Sequence, residues 1–330
     1  MTILVTGAAG FIGMHVTTAL LARGNAVIGI DSLNEYYASA LKRARLDQFE
    51  GDSGFRFVHA DIADATAVGN LIDAHPEITG VVHLAAQAGV RHSLEAPLDY
   101  VRANVTGQTV MLEAARRLPR LEHFVYASSS SVYGANAKVP FAVDDRVDHP
   151  VSLYAASKRS AELIAEAYAN LYGMPLTGLR FFTVYGPWGR PDMAYYMFTH
   201  AIATSQPIRL YHGGRPQRDF TYVDDIVAGV LAALDRPPGQ KNRHRLYNLG
   251  NHRTETVSRL VAVIEGALGR KARIVEAPMQ PGDVERTYAD IEASRHDLGF
   301  DPATSIDEGL PRFVDWYLSK NGGAYLPGPT

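Results

Sequence analysis

The chain has 330 residues, 46% hydrophobic and 20% charged, the proportions of an ordinary globular protein long enough for a large core and one or two domains. A formal net charge of −3 gives no electrostatic case for nucleic acid or an anionic membrane as partner. Absence of cysteine excludes disulfides, thiolate metal sites and a cysteine nucleophile; the start MTILVTGAAG lacks the basic region of a signal peptide, so a soluble cytoplasmic protein is expected.

A strand TILVTG, a helix through FIGMHVTTALLARG and a second strand AVIGID open the chain. Further strands follow at FRFVHADI, GVVHLAA, HFVYASS and LTGLRFFTVYG, each succeeded by helical periodicity. These runs are apolar on successive residues, as strands covered on both faces should be. The pattern predicts an α/β protein with a doubly wound, Rossmann-type parallel sheet and a smaller C-terminal α/β part. Residues 1–183 form the expected dinucleotide-binding domain and residues 184–330 a substrate domain. Segments near 219–250, among them TYVDDIVAGVLAALD and YNLGN, are expected to return to the first domain.

Between the first strand and first helix stand Gly7, Gly10 and Gly13, where glycine permits a tight turn, close approach of a pyrophosphate and close helix packing. Asp31 closes the second strand, placed to accept hydrogen bonds from a ribose and to repel a 2′-phosphate, which favours NAD over NADP. Asp61 and Ile62 fit either an adenine contact or a simple turn. The run Ser128, Ser129, Ser130 and Ser131 ends a strand at the carboxyl edge of the sheet, where such folds bind ligands; a polar turn would look the same. Tyr154 and Lys158 lie four apart, on one face of a helix, so the ammonium can act on the phenol. Lowering a phenol by about three units would take roughly 4 kcal/mol, from the lysine and a positive nicotinamide together. None of the 12 histidines falls in a metal-ligand spacing, so no metal is expected, and His83 at a strand end suits a core position.

Gly7-Ala8-Ala9-Gly10-Phe11-Ile12-Gly13, HLAAQAGVR, Asn104, the serine run, Tyr154 with Lys158, and RDFTYVDDI together resemble the extended short-chain dehydrogenase/reductases that act on nucleotide sugars. The resemblance covers nearly the whole chain. It implies bound NAD, touched by Gly7, Ala9, Gly10, Phe11, Ile12, Gly13, Asp31, Asp61, Ile62, Leu84, Ala85, Ala86 and Asn104. It further implies that Ser129 holds a sugar hydroxyl with help from Ser128 and Ser130, that Tyr154 is the base, and that Lys158 also binds the nicotinamide ribose. Dehydratases of this group carry Asp-Glu before VYG and uronate decarboxylases carry Glu; here Ser130 and Ser131 stand there, which favours epimerisation.

The stretch RFFTVYGPWGRPDMA is similar to the UDP-glucuronate 4-epimerases, as are NEYYASALKRARL and DHPVSLYAASK. The resemblance implies that Thr183 and the serines donate to a uronate carboxylate. Arg190 steers that carboxylate, binds the diphosphate, or is only a loop charge. Arg218 and Arg91 are candidates for the diphosphate, although Arg91 equally suits pairing with an acid. Asp283 is a candidate for uridine or sugar hydroxyls. The rivals are a UDP-glucose/galactose 4-epimerase, a UDP-glucuronate decarboxylase, and an NAD-sensing binding protein, the last of which typically lacks the Tyr-Lys pair. Helices through NVTGQTVMLEAARR and SAELIAEAYANLY imply a four-helix homodimer interface.

Overall fold

The computed structural model describes residues 1–278, 285–320 and 322–326. Its main sheet has seven parallel strands: β1 (Thr2–Thr6), β2 (Ala26–Asp31), β3 (Phe55–His59), β4 (Ile78–His83), β5 (His123–Ser129), β6 (Leu176–Phe181) and β7 (His244–Leu249). Their order is β7-β6-β5-β4-β1-β2-β3. The chain winds one way from β1 to β3 and the other way from β4 to β7, so a crevice opens between β1 and β4 at the carboxyl edge.

Each strand feeds two cores, because successive side chains point to opposite faces. Ile3 and Val5 of β1 join one cluster with Val27, Val82, Val125 and Leu179, while Leu4 joins the other with Ile28, Val81 and Phe124. Helices Phe11–Ala22 and Val223–Leu234 pack against each other over the first face. Helices Ala65–Ala74, Gly107–Ala115 and Leu153–Tyr172 cover the second. Both faces being dry explains why the strands read as unbroken apolar runs.

The predicted strand LTGLRFFTVYG is divided. Phe182 N–H donates to Leu249 O at 3.1 Å, the last tie to the main sheet, and Thr183 N–H donates to Asp219 O at 3.1 Å. From there Thr183–Tyr185 pairs in parallel with Phe220–Tyr222. The backbone changes partner at Phe182, a switch that apolar patterning does not encode. Beyond it, Pro207–Tyr211 pairs with Arg273–Ala277, and helices Ala194–Ala203, Val257–Leu268 and Ile306–Ser319 pack round Tyr195, Tyr196, Phe313 and Trp316. No helix among the described residues is long and apolar enough to cross a membrane.

Candidate active site

The turn after β1 is shaped by contacts that only glycine allows. Gly7 takes φ +72°, and a Cβ on Gly13 would lie 1.9 Å from Gly7 O. Gly10 N–H closes the turn on Gly7 O at 2.8 Å, leaving the amino end of helix Phe11–Ala22 facing the crevice. Asp31 lies at the end of β2, accepting from Ala9 N–H at 3.1 Å and Leu33 N–H at 2.8 Å. Two carboxylate oxygens offer about four acceptor positions, so two remain for ribose hydroxyls. The cradle fits a dinucleotide.

Leu84, Ala85 and Ala86 follow β4 and form the facing wall: Ala85 N–H donates to Thr6 Oγ1 at 3.0 Å, and a Cβ on Gly7 would meet Ala85 N at 2.9 Å. His83 is buried, bonded to Thr6 Oγ1 at 2.7 Å, and burial holds its pKa down at about 3, so it is a neutral core residue. Asn104 sits in a π-helical stretch, Val101–Thr106, inside the run from His92 to Ala115. Its amide is spent on protein: Oδ1 accepts from Gln87 N–H at 2.8 Å, and Nδ2 donates to Gln87 O at 3.0 Å and Ser157 Oγ at 2.9 Å. It braces the loop after β4 against the helix of Tyr154. Asp61 accepts from Ala63 N–H at 2.8 Å and pairs with Arg102 at 2.7 Å, while Ile62 is buried against Gly107.

The serine run separates by position. Ser129, the last residue of β5, accepts from Ser131 N–H at 3.2 Å, and its hydroxyl works to lower the pKa of Tyr154. Ser130 and Ser131, in the tight turn that follows, line a cleft of about 200 Å³ with Val90, Ser152, Thr183 and Arg218. Ser128, expected to assist at the sugar, faces the other way, because neighbours on a strand alternate. Its hydroxyl donates to Glu162 Oε1 at 2.6 Å, and Glu162 is bonded to Arg180 through both oxygens at 2.8 and 2.9 Å. Burial works to raise Glu162, but Arg180 and Ser128 outweigh it and keep the carboxyl below its usual range.

Ser152 caps helix Leu153–Tyr172, accepting from Ala155 N–H at 3.1 Å, and so fixes Tyr154 in its first turn. Burial raises the Tyr154 phenol above its ordinary value, opposed by the Ser129 hydroxyl and then by the charge of Arg190. Lys158 donates to Ala127 O at 2.9 Å; burial lowers its pKa to about 8 while Glu162 pulls upward. The sequence pointed to lysine as the group acting on the phenol. To that group the structure adds the serine hydroxyl and an arginine from the loop after Tyr185 as influences opposing burial at Tyr154.

That arginine is held in a fork. Arg190 donates to Asp192 through Nε at 3.0 Å and Nη2 at 2.7 Å, and Tyr36 donates to the same carboxylate at 3.0 Å. Arg218 donates to the carbonyls of Gln217 at 3.0 Å and Glu285 at 3.4 Å while lining the cleft. Arg91 lies 5.4 Å over the ring of Tyr211. Asp283 lies outside the described residues. Sequence reasoning missed Glu162, Arg180, Asp192 and Tyr36. The spacing of four from Lys158 to Glu162 was a readable signal, whereas their partners come from remote segments.

A glycine turn before a helix, a carboxylate closing β2, and a serine beside a Tyr-Lys helix at the carboxyl edge define a dinucleotide-dependent α/β enzyme of the short-chain dehydrogenase/reductase type. The NAD dependent epimerase/dehydratase family matches residues 3–250, and the chain belongs to it. It is 48% identical over 337 residues to UDP-glucuronate 4-epimerase 3 of Arabidopsis thaliana, covering 98% of this chain and 78% of that protein. Protein CapI of Staphylococcus aureus is 45% identical over 333 residues, covering 96% and 98%. Among solved structures, UDP-glucuronic acid 4-epimerase from Bacillus cereus, in complex with UDP-glucuronic acid and NAD, superposes with a TM-score of 0.89 at 33% identity, covering 97% and 100%.

Proposed function

We propose that this chain is a UDP-glucuronate 4-epimerase, converting UDP-glucuronic acid to UDP-galacturonic acid through a transient 4-keto sugar. The observation that carries it is Ser129 at the end of β5 and Tyr154 in the first turn of its helix, flanking a cleft lined by Ser130, Ser131, Ser152, Thr183 and Arg218. No acid stands among the described residues lining that cleft, which favours epimerisation over elimination or decarboxylation. Similarity to several UDP-glucuronate 4-epimerases, five of them 47–48% identical, supports the uronate as substrate.

NAD is the dinucleotide for this cradle, held by Gly7, Gly10, Gly13, the Leu84–Ala86 wall and Asp31, with Lys158 at the ribose. When bound, it supplies the reversible hydride acceptor that inversion at C4 requires. Tyr154 removes the proton of the 4-hydroxyl as the ketone forms and returns it to the inverted product; Ser129 holds the same oxygen. Arg218 and Arg91 serve the diphosphate, which stays anchored while the sugar turns.

The 4-keto uronate is a β-keto acid, prone to lose carbon dioxide. Donors at Thr183, Ser130 and Ser131 hold its carboxylate with the scissile C–C bond near the plane of the ketone, where breaking it gains no conjugation. Thr183→Ala is expected to release more UDP-pentose than the parent.

Residues 1–183 form the dinucleotide-binding domain and 184–330 the substrate domain, with segments near 219–250 returning to the first and the sugar held by residues of both. Leu94 and Leu98 on the run from His92, and Leu163, Leu171 and Tyr172 on helix Leu153–Tyr172, are exposed and suit burial by a second copy.

Proton NMR of UDP-glucuronate with the purified protein and no added nucleotide tests the reading. UDP-galacturonate rising to a steady ratio is the expected result. A UDP-pentose instead would make it a decarboxylase, and conversion of UDP-glucose alone would move the substrate assignment.

A further inference from the structure

The segment Asn34–Arg45 contributes no side chain to the cleft, yet it reaches both halves of the site. Arg45 is fully buried, and the partners its guanidinium reaches are neutral oxygens. It donates to Ala9 O in the glycine turn at 3.0 Å, to Tyr37 OH at 2.6 Å, to Trp188 O at 2.6 and 3.1 Å, and to Gly189 O at 3.1 Å. Trp188 has φ +62°, a left-handed conformation that costs a bulky residue energy and persists only where surroundings impose it. The guanidinium fork on its carbonyl is such an imposition. His15 ties the same loop by a hydrogen bond between Nε2 and Pro187 O at 2.9 Å. At the other end of the segment, Lys42 clamps Asn34 through O and Oδ1, both at 2.6 Å, and Tyr36 reaches Asp192.

We propose that Asn34–Arg45 is a positioning strap: Arg45 and Tyr36 hold the loop Pro187–Asp192 so that Arg190 is presented to Tyr154 from the dinucleotide side of the molecule. Arg45 and Tyr36 are positioning residues, acting through Arg190 and Asp192. The proposal deepens the reading of Tyr154 as the base and rests on it.

The Tyr100 ring packs 6.0 Å from that of Tyr154, and the Tyr100 and Tyr36 hydroxyls both crowd Gly89, which ties the Arg190–Asp192 pair to the same cluster. Lys158 follows one turn on along the helix, and the Ser129 hydroxyl and the charge of Arg190 favour the ionised phenol. His92 lies beside both Tyr36 and Tyr100, at 4.9 and 6.1 Å between ring centres. Of these, Arg190 is the cation whose orientation depends on a bond from the strap. Its field on the phenol falls if the fork swings away.

Tyrosinate absorbance of the NAD-loaded protein, titrated with pH, tests the strap without requiring turnover. Wild type, Tyr36→Phe and Arg45→Lys are each compared with a counterpart also carrying Tyr154→Phe, so that the difference isolates one phenol. Ionisation of Tyr154 is expected to move upward by about one pH unit in both strap variants. Dinucleotide content and unfolding temperature of Tyr36→Phe, which loses one half-buried hydroxyl, should stay at parent values. Should Arg45→Lys fail to fold, Tyr36→Phe decides alone. An unchanged titration in the folded variants overturns the strap. Full epimerase activity in Tyr154→Phe would instead overturn the base assignment, so the two failures are separable.

Discussion

Half-burial works against ionisation of Tyr154, a serine hydroxyl and an arginine from a distant loop oppose it, and Lys158, the residue proposed for the nicotinamide ribose, stands one helical turn on. Lys158 is the member whose charge is most easily lost, since burial brings its pKa to about 8. As pH rises through that value the ammonium discharges. The pH dependence of kcat should therefore show an alkaline limb near 8, and Lys158→Arg, where folded, should carry it to higher pH. Asp219 makes a different kind of contribution. It is fully buried and accepts from Asn251 N–H at 2.6 Å, Ala289 N–H at 3.1 Å and Thr221 Oγ1 at 3.1 Å, joining three segments under the cleft. In Asp219→Asn an amide N–H would confront another donor, so urea unfolding should show a loss of about 1–3 kcal/mol. RDFTYVDDI marked this stretch in the sequence, but its aspartate looked like any other until its three donors were placed.

Helix Leu153–Tyr172 carries Tyr154, Lys158 and Glu162 at successive spacings of four, so one stripe runs from the chemistry down to a buried ion pair. The stripe was legible in the sequence as spacing; its meaning was not. Arg180 arrives from β6 and Ser128 from β5, and only sheet order brings them to Glu162. With side-chain exposures of 1% and 0%, Arg180 and Glu162 have no access to water as a substitute partner. Glu162→Gln should cost about 3–5 kcal/mol by leaving the guanidinium uncompensated, measurable by denaturant unfolding. The glycine turn, by contrast, could be read almost completely from sequence, because its geometry is local. Gly13→Ala places a methyl 1.9 Å from Gly7 O, so the purified variant should lose most of its bound dinucleotide, seen as a fall in absorbance released on denaturation.

Across the whole molecule, the sheet was readable because parallel strands buried on both faces leave an unmistakable apolar signature, as in AVIGID and LTGLRF. Reach between remote segments was not: nothing in NEYYASALKRARL announces Trp188, and nothing in TVY announces Phe220–Tyr222. At this scale the exposed leucines give one further expectation. Leu98 is 79% exposed and Leu171 72%, so Leu98→Glu with Leu171→Glu should leave the monomer folded and abolish the proposed dimer, as read by sedimentation. A consequence for synthesis follows from β6, every residue of which is buried between β5 and β7. A ribosome delivers β6 long before His244–Leu249, and until that stretch emerges one edge of β6 offers bare amides and carbonyls to any neighbouring chain. A nascent polypeptide stalled at Tyr185 would already hold the glycine turn, the serines, Tyr154 and Lys158, yet it would be a sticky, unfinished object. Completion of the catalytic half is thus timed by the arrival of residues that lie well past it.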